Sequence, residues 1–381
     1  MARKLVSIQK ILNIEPIEGA DKIEKLTVLG WHVVASKSEG HKIGDLVAYI
    51  EIDTQLPELP IFEFLKDRKY RVKTIKLKGQ VSQGLVIPLK EIEKNFNVNI
   101  SKLKEGEDIT SIIGATKYDP ELEAENKLAE QQMNNNKNPI HKFFMKYKWY
   151  RTIYKKIIPS ETKGFPSWIK KTDEERIQTL PELFEEAKAN KWRFYTTEKV
   201  DGQSGTFFLK KDKILGIFPK YDFGVCSRNL RLKNPNNSSY WTVAKKYNME
   251  NLLKSIMKQF KAETVVLQGE VLGTGIQQNK YHIDGYKLMV FNLIINGKHY
   301  NTDEIQDILT KNDSTKSLTT VPILEYMVPL KDSIDEMVED AKGKSQLYDT
   351  LREGKIWRTD PSVRRISFKV INPEFLLKNK E

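Results

Sequence analysis

The chain is poor in the residues that build disulfide or metal frameworks. Cys226 is the one cysteine among 381 residues, which excludes an intrachain disulfide framework and a cysteine-based zinc cluster. The histidines, His32, His41, His141, His282 and His299, stand at no metal-ligand spacing. No apolar run reaches the roughly 18 residues of a membrane span. The N-terminus, MARKLVSIQKILNIEP, lacks the apolar core and cleavage site of a secretory leader. These absences predict an intracellular, cytoplasmic protein with no membrane partner. Two glycine signatures are missing as well. Without a Gly-x-Gly-x-x-Gly and regular βαβ alternation a Rossmann domain is not expected, and there is no Walker A loop. A nucleotide, if one is used, is held by another route.

What the chain has is length, apolar residues and positive charge. Its 381 residues suggest two domains or three, and 39% hydrophobic content with 10% aromatics suffices for real cores. The formal charge is +12 and the isoelectric point about 9.3. An excess of base suggests a polyanionic partner, with nucleic acid the first candidate.

Three regions follow from the patterning. Residues 1–113 read as mostly β: "KLTVLGWHVV" (25–34), "DLVAYIEI" (45–52), "YRVKTIKL" (70–77) and "GLVIPL" (84–89) are strand-like runs punctuated by glycine. Short strands with glycine corners suit a small barrel. An OB-like β-barrel is the natural candidate, an SH3-like barrel the alternative. Residues 114–164 read as a linker. "ELEAENKLAEQQMNNNKN" (121–138) is a polar helix running into an Asn-rich stretch, and "PIHKFFMKYKWYRTIYKKIIPS" (139–160) interleaves six cations with aromatics. That strip fits phosphate and base contacts, a connector helix packed on a domain, or a membrane-surface helix. Residues 165–381 mix α and β. Helices are expected at 181–190, 249–260, 302–311 (capped by Thr302) and 333–342. Strands are expected at 194–199, 205–209, 264–272, 287–295, 354–358 and 366–371, with an Asn-Gly hairpin in 292–300.

In this last region "TTEKVDGQSGTFFL" (196–209) sets Lys199 between β-formers and an Asp-Gly turn. Alone it reads as a solvated turn lysine. Five further segments repeat its character, each with a notable residue in or beside a strand: "GVCSRN" with Arg228, "LQGEVLG" with Glu270, "MVFNLI" with Phe291, "REGKIWR" with Glu353 and "ISFKVINPEFLL" with Lys369. Charges inside apolar strands are costly unless paired or functional.

In order and character these segments resemble the motifs of the covalent nucleotidyltransferase superfamily of ATP-dependent DNA and RNA ligases and GTP-dependent capping enzymes. Lys199-Val200-Asp201-Gly202 resembles its first motif, and Arg228, Glu270, Phe291, Glu353 and "SFKVI" resemble the ones that follow. Lys369 lies close to the C-terminus, which leaves no room there for the OB domain of DNA ligases and capping enzymes. With the OB-like region at the N-terminus, the arrangement is similar to a branch of ATP-dependent RNA ligases. "FPSWIKKTDEERIQTLPELF" (165–184) is similar to the lead-in of that branch. The resemblance implies an α+β fold: a nucleotidyltransferase (ATP-grasp-like) domain of antiparallel sheets with flanking helices, preceded by an OB-like barrel.

It also implies a chemistry and a cast of residues. Lys199 would take AMP from ATP on its ε-nitrogen. Glu270 and Glu353 would hold Mg²⁺ or Mn²⁺, needed because two carboxylates raise a lysine pKa that already lies near 10.4. Lys369 would place a fixed charge on the α-phosphate. Arg228 would contact the ribose or the 5′-phosphate of the incoming strand, Phe291 would stack on adenine, and Glu198 would sit at the nucleotide edge. Asp201 and Gly202 would shape the turn, with Gly202 allowing close backbone approach. Ile371 stands where some RNA ligases carry a second lysine, so Lys369 acts alone there or with Arg364, Arg365 or a lead-in residue. Lys170, Lys171, Arg176 or the N-terminal domain are the candidates for orienting pyrophosphate. The substrate implied is RNA with 3′-hydroxyl and 5′-phosphate ends, with no obligate protein partner. The competing readings are a DNA ligase, a capping guanylyltransferase, and a non-catalytic RNA-binding protein with a degenerate nucleotidyltransferase fold.

Overall fold

The computed structural model describes residues 3–119, 146–147, 162–214, 218–233, 238–314, 317–359 and 365–379. The helix expected at 121–138 lies outside the described residues, as does the basic-aromatic strip apart from Lys146 and Tyr147.

The N-terminal domain is an OB-fold half-barrel. Its five-stranded sheet runs in the order Trp31–Ser36, Ile23–Val28, Val6–Pro16, Leu46–Ile50, Leu85–Pro88. The strand Val6–Pro16 was not expected from the sequence, yet it organises the domain. Its first half pairs with Leu46–Ile50, its second with Ile23–Val28, and the register shifts between Ile11 and Asn13. A bulge of this kind bends a strand and lets one sheet curl. The run 25–34 is not one strand. It folds back at Leu29 (φ 52°) and Gly30 into a hairpin. Of the run 70–77 only Ile75–Leu77 is strand, paired with Gln80–Ser82 across Lys78 and Gly79. Thr116–Lys117 pairs with Thr54–Gln55, so this domain's hydrogen bonding reaches past residue 113.

The C-terminal region is two sheets. One contains eight strands: Thr162–Gly164, Leu230–Leu232, Phe218–Cys226, Gln203–Ile214, Thr264–Gly273, Tyr286–Ile295 and Lys298–His299 in that order, with Thr319–Thr320 added beside Tyr286–Ile295. Helices Ser239–Lys246, Met249–Gln259 and Thr302–Asn312 cover one face, where Val243, Leu253, Ile256 and Leu309 meet Phe207, Leu267 and Leu293. The other sheet has five strands: Glu175–Arg176, Ser367–Ile371, Gly354–Thr359, Phe194–Lys199 and Ile323–Val328. The antiparallel expectation has two exceptions. Glu175–Arg176 runs parallel to Ser367–Ile371, and Thr319–Thr320 parallel to Tyr286–Ile295.

Local chemistry explains several boundaries. Pro181 opens the helix Pro181–Ala189, where its missing N–H costs nothing. The cap of the helix at 302 is Asn301, not Thr302. Asn301 and Glu304 form a reciprocal capping box, and Thr302 is the first helical residue. Asn296 (φ 49°) and Gly297 (φ 79°) turn the expected hairpin. The terminal helix Pro373–Asn379, not expected, inserts Phe375 and Leu376 into the N-terminal domain's core beside Ile371, so that core closes only with the C-terminal segment present.

Candidate active site

A cavity of about 450 Å³ opens where the two C-terminal sheets and the N-terminal domain meet. Strand register explains why the sequence motifs converge on it. Lys199 ends the strand Phe194–Lys199 and pairs with Gly354, so the preceding Glu353 lies at its side. Ile356, on the strand Gly354–Thr359, pairs with Lys369. In the second sheet Ser204, just past the turn, pairs with Glu270. Between Gln268/Asn292 and Gly269/Val290 the register shifts, leaving Phe291 as the extra residue of a bulge. Bulges re-aim side chains beside active sites, and Phe291 lines the cavity.

Lys199 is the centre of the geometry. Its Nζ donates to both oxygens of Glu353 at 2.6 Å. Burial opposes the ammonium charge, but the carboxylates of Glu353 and Glu270 outweigh it and hold the lysine well above its ordinary range. Glu270 Oε1 accepts the Gly202 N–H at 3.1 Å, tying the turn to the neighbouring strand. A Cβ on Gly202 would sit 2.5 Å from the Val271 carbonyl oxygen and 2.5 Å from Leu272, so space alone demands glycine here.

A second group is cationic. Lys117, Arg228 and Lys369 converge on the carboxylate of Asp173. Arg228 Nη2 lies 3.4 Å and Lys369 Nζ 3.5 Å from its Oδ1, and Lys117 pairs with its other oxygen. Burial opposes the Asp173 charge, yet these cations win and hold the carboxyl well below the usual carboxylate range. Burial pushes the Lys369 ammonium down to about 8, with Arg176, Lys199 and Arg3 adding to the effect and Asp173 opposing it. Arg176 is buried and its Nη2 donates to Asp53 of the N-terminal domain at 3.1 Å. Its Nε and Nη1 have no hydrogen-bond partner among the described residues. Buried donors left in this condition at a cavity wall suit an anionic ligand.

Of the residues singled out from the sequence, Lys199, Lys369, Glu198, Asp201, Gly202, Arg228, Glu270, Phe291, Glu353 and Arg176 all line the cavity. Lys170 and Lys171 do not. The lead-in enters the wall only from Thr172 onward, and Lys171 Nζ instead donates to Asn229 at 3.1 Å. Glu198 is at the wall, but its carboxylate is already engaged by Ser345 Oγ at 2.5 Å and the Gln346 N–H at 2.8 Å. The sequence reading passed over Asp173, which sits in the quoted lead-in, and over Arg3, Asp53, Arg71 and Lys117 from the N-terminal domain. Nothing local distinguishes those four; only the tertiary arrangement brings them to the wall.

The donor set suits a hard divalent cation. Among the described residues no three His, Cys, Asp or Glu side chains form a closed metal cage. Two carboxylates beside a cluster of cations fit an ion that keeps several waters and shares phosphate oxygens.

Comparison with known proteins agrees with this fold. Residues 193–371 match the family model for RNA ligase, and residues 5–89 match that of an OB-fold domain. No curated protein matches the chain. Solved structures of Naegleria gruberi RNA ligase do. The complex with pyrophosphate is 27% identical with a TM-score of 0.76, covering 100% of this chain and 99% of that one. A variant with ATP and manganese is 27% identical with a TM-score of 0.77, covering 100% of both chains. A variant with AMP and manganese is 27% identical with a TM-score of 0.76, covering 99% of each.

Proposed function

The chain belongs to the RNA ligases, with an OB-fold domain ahead of its ligase domain, and from that membership we propose that it seals RNA 3′-hydroxyl and 5′-phosphate ends through a lysyl-AMP formed on Lys199. One observation carries the reading: the Lys199 ammonium is held at 2.6 Å by Glu353 in a cavity that also gathers Arg176, Arg228 and Lys369. The Naegleria gruberi enzyme has been captured with ATP, AMP, pyrophosphate and manganese. Those are the reactant, the transferred group and the leaving group of such a step, with a divalent cation.

With its ammonium proton lost to solvent, the Lys199 amine attacks the α-phosphorus and forms the N–P bond as the P–O bond to the departing pyrophosphate breaks, so positioning and charge do most of the work. Glu270 and Glu353 would hold a divalent cation, which would offset their charge on the lysine, ease loss of its proton and neutralise the phosphoryl oxygens. Glu353 meanwhile fixes the direction of the Lys199 side chain. Lys369 and Arg228 lose Asp173 as their counter-ion to the incoming phosphate and grip it instead. Arg176, with its spare donors, and Arg3, Arg71 and Lys117 from the OB-fold domain orient the pyrophosphate. Phe291 offers its ring to adenine. Glu198, at the cavity wall, is braced by Ser345 and Gln346. AMP then passes to an RNA 5′-phosphate, and an adjacent 3′-hydroxyl displaces it to leave a 3′–5′ phosphodiester.

A ligase domain over 165–381 extended by the strand Thr162–Gly164, a linker over 114–164 shortened at its start by the strand Thr116–Lys117, and a cytoplasmic setting belong to the same proposal. Among the described residues no helix is long and apolar enough to cross a membrane. The test is strand joining: a 5′-phosphorylated RNA and a 3′-hydroxyl RNA, with ATP or GTP and Mg²⁺. A sealed product with ATP alone supports the reading. A covalent adduct with GTP, or sealing confined to DNA strands, contradicts it.

A further inference from the structure

The loop between the strands Thr264–Gly273 and Tyr286–Ile295 is more tightly built than a surface connection needs to be. Gln277, Gln278, Asn279 and His282 all have positive φ, as do Gly273, Gly275 and Gly285 at its ends. Left-handed backbone at non-glycine residues costs energy and persists only where the surroundings over-determine it. Here the loop closes on itself. Thr274 N–H donates to the Gly285 carbonyl at 3.0 Å, and the Asn279 side chain both donates to the Ile283 carbonyl and accepts its N–H.

What this rigid loop presents is Lys280 and Tyr281, and both grip the same residue. Lys280 Nζ pairs with the carboxylate of Asp201. The hydroxyl of Tyr281 accepts the Asp201 backbone N–H at 2.9 Å. The Lys280 and Asp201 side chains are 10% and 8% exposed, so the pair is largely shielded from water and salt. Behind it the Phe375 ring of the C-terminal helix lies 4.5 Å from the ammonium, a cation–π distance. Tyr281 is packed with Val200, Leu272, Met289 and Val321. Asp201 is two residues from Lys199, on the turn that carries it.

We propose that Lys280, with Tyr281, is a positioning residue for the first chemical step, holding the Lys199–Gly202 turn so that the lysine nitrogen faces the α-phosphorus. The inference rests on the reading of Lys199 as the nucleophile. Neither Lys280 nor Tyr281 lines the cavity wall. Lysyl-AMP formation needs the Lys199 nitrogen in line. Sealing of RNA that already carries a 5′-AMP does not use that nitrogen as a nucleophile. A device that aims Lys199 therefore affects the first step far more than the last, whereas a residue that merely supports the fold affects both.

The experiment compares wild type, Lys280→Met, Lys280→Arg and Tyr281→Phe in two single-turnover assays at saturating nucleotide or RNA. One measures lysine adenylylation with ATP and Mg²⁺; the other measures joining of a synthetic 5′-adenylylated RNA. A displacement of about 1 Å costs up to about 10²-fold in rate. Lys280→Met should lose adenylylation on that order while adenylylated-RNA joining falls no more than about threefold, and Lys280→Arg should restore adenylylation to within about threefold. Tyr281→Phe should show the same asymmetry to a smaller degree, which keeps the test open if Lys280→Met fails to fold. Equal loss in both assays, with a lowered Tm, would reduce Lys280 to a structural ion pair and overturn the proposal. So would full adenylylation by a folded Lys280→Met. Absence of any adduct on Lys199 in wild type would instead overturn the underlying reading of the site.

Discussion

Replacing Lys369 by arginine should remove a pH dependence that the wild-type protein displays in binding ATP. Lys369 is pushed down to about 8, burial being the largest cause. At that value about nine-tenths of molecules carry the ammonium at pH 7 and about one-tenth at pH 9. Where the grip on phosphate requires the charge, the Kd for ATP rises about tenfold between those two pH values, or about 1.4 kcal/mol. The arginine guanidinium stays charged, so Lys369→Arg should give a flat profile. The assay is calorimetric titration of a non-cleavable α,β-methylene ATP analogue with Mg²⁺, on both proteins. A flat wild-type profile, or the same slope in Lys369→Arg, would refute the reasoning. Stability of the ligand-free protein should run the other way. A lysine whose folded value lies below its unfolded value of about 10.4 contributes stability above that unfolded value, and the contribution is lost as pH falls through about 8.

Three further outcomes follow from the cavity wall. Gly202→Ala forces a Cβ against the Val271 carbonyl and Leu272, and should cost about 1–3 kcal/mol in denaturant unfolding and abolish adenylylation. Arg176→Ala strips Asp53 of one buried partner while Arg71 remains on its other oxygen. It should lose about 2 kcal/mol in thermal melts and slow adenylylation; unchanged adenylylation would remove Arg176 from the pyrophosphate site. Asp173→Asn leaves Lys117, Arg228 and Lys369 without their shared counter-ion. The partly exposed carboxylate limits the loss at pH 7 to about 1 kcal/mol. Because its folded pKa is depressed, that contribution is present above the unfolded value near 4 and fades as pH falls below it, so mutant and wild-type melting temperatures should approach each other in acid.

The sequence carried the active-site motifs better than the scaffold that holds them. Lys199, Glu353 and Lys369 stood out because a charge inside an apolar strand is rare, and each such strand was recognisable from its own β-formers. Strand register then put them side by side, which no local pattern can state. The strand Val6–Pro16 escaped notice because its two halves serve different partners: Val6, Ile8 and Ile11 are buried while Leu12 is exposed, so no single alternation runs its length. The run 25–34 looked continuous because Leu29, in a left-handed conformation that leucine rarely adopts, carries no turn signature. Arg71 and Lys117 resemble any other surface cation in sequence. They become part of the site only when the half-barrel docks on the ligase domain through contacts such as Gly30 N–H to the Gln178 carbonyl and Arg176 to Asp53. Lys170 and Lys171 drew attention by charge and position, whereas the acid two residues further on, Asp173, is what organises the cations.

Whether AMP becomes bonded to Lys199 decides the rest. Intact mass of the purified protein, freed first of any bound AMP by incubation with pyrophosphate, would be measured after addition of ATP and Mg²⁺, for wild type and Lys199→Ala. The account predicts a gain of one AMP in wild type and none in the variant. An adduct that persists in Lys199→Ala, or a folded wild-type protein that acquires none, would contradict it.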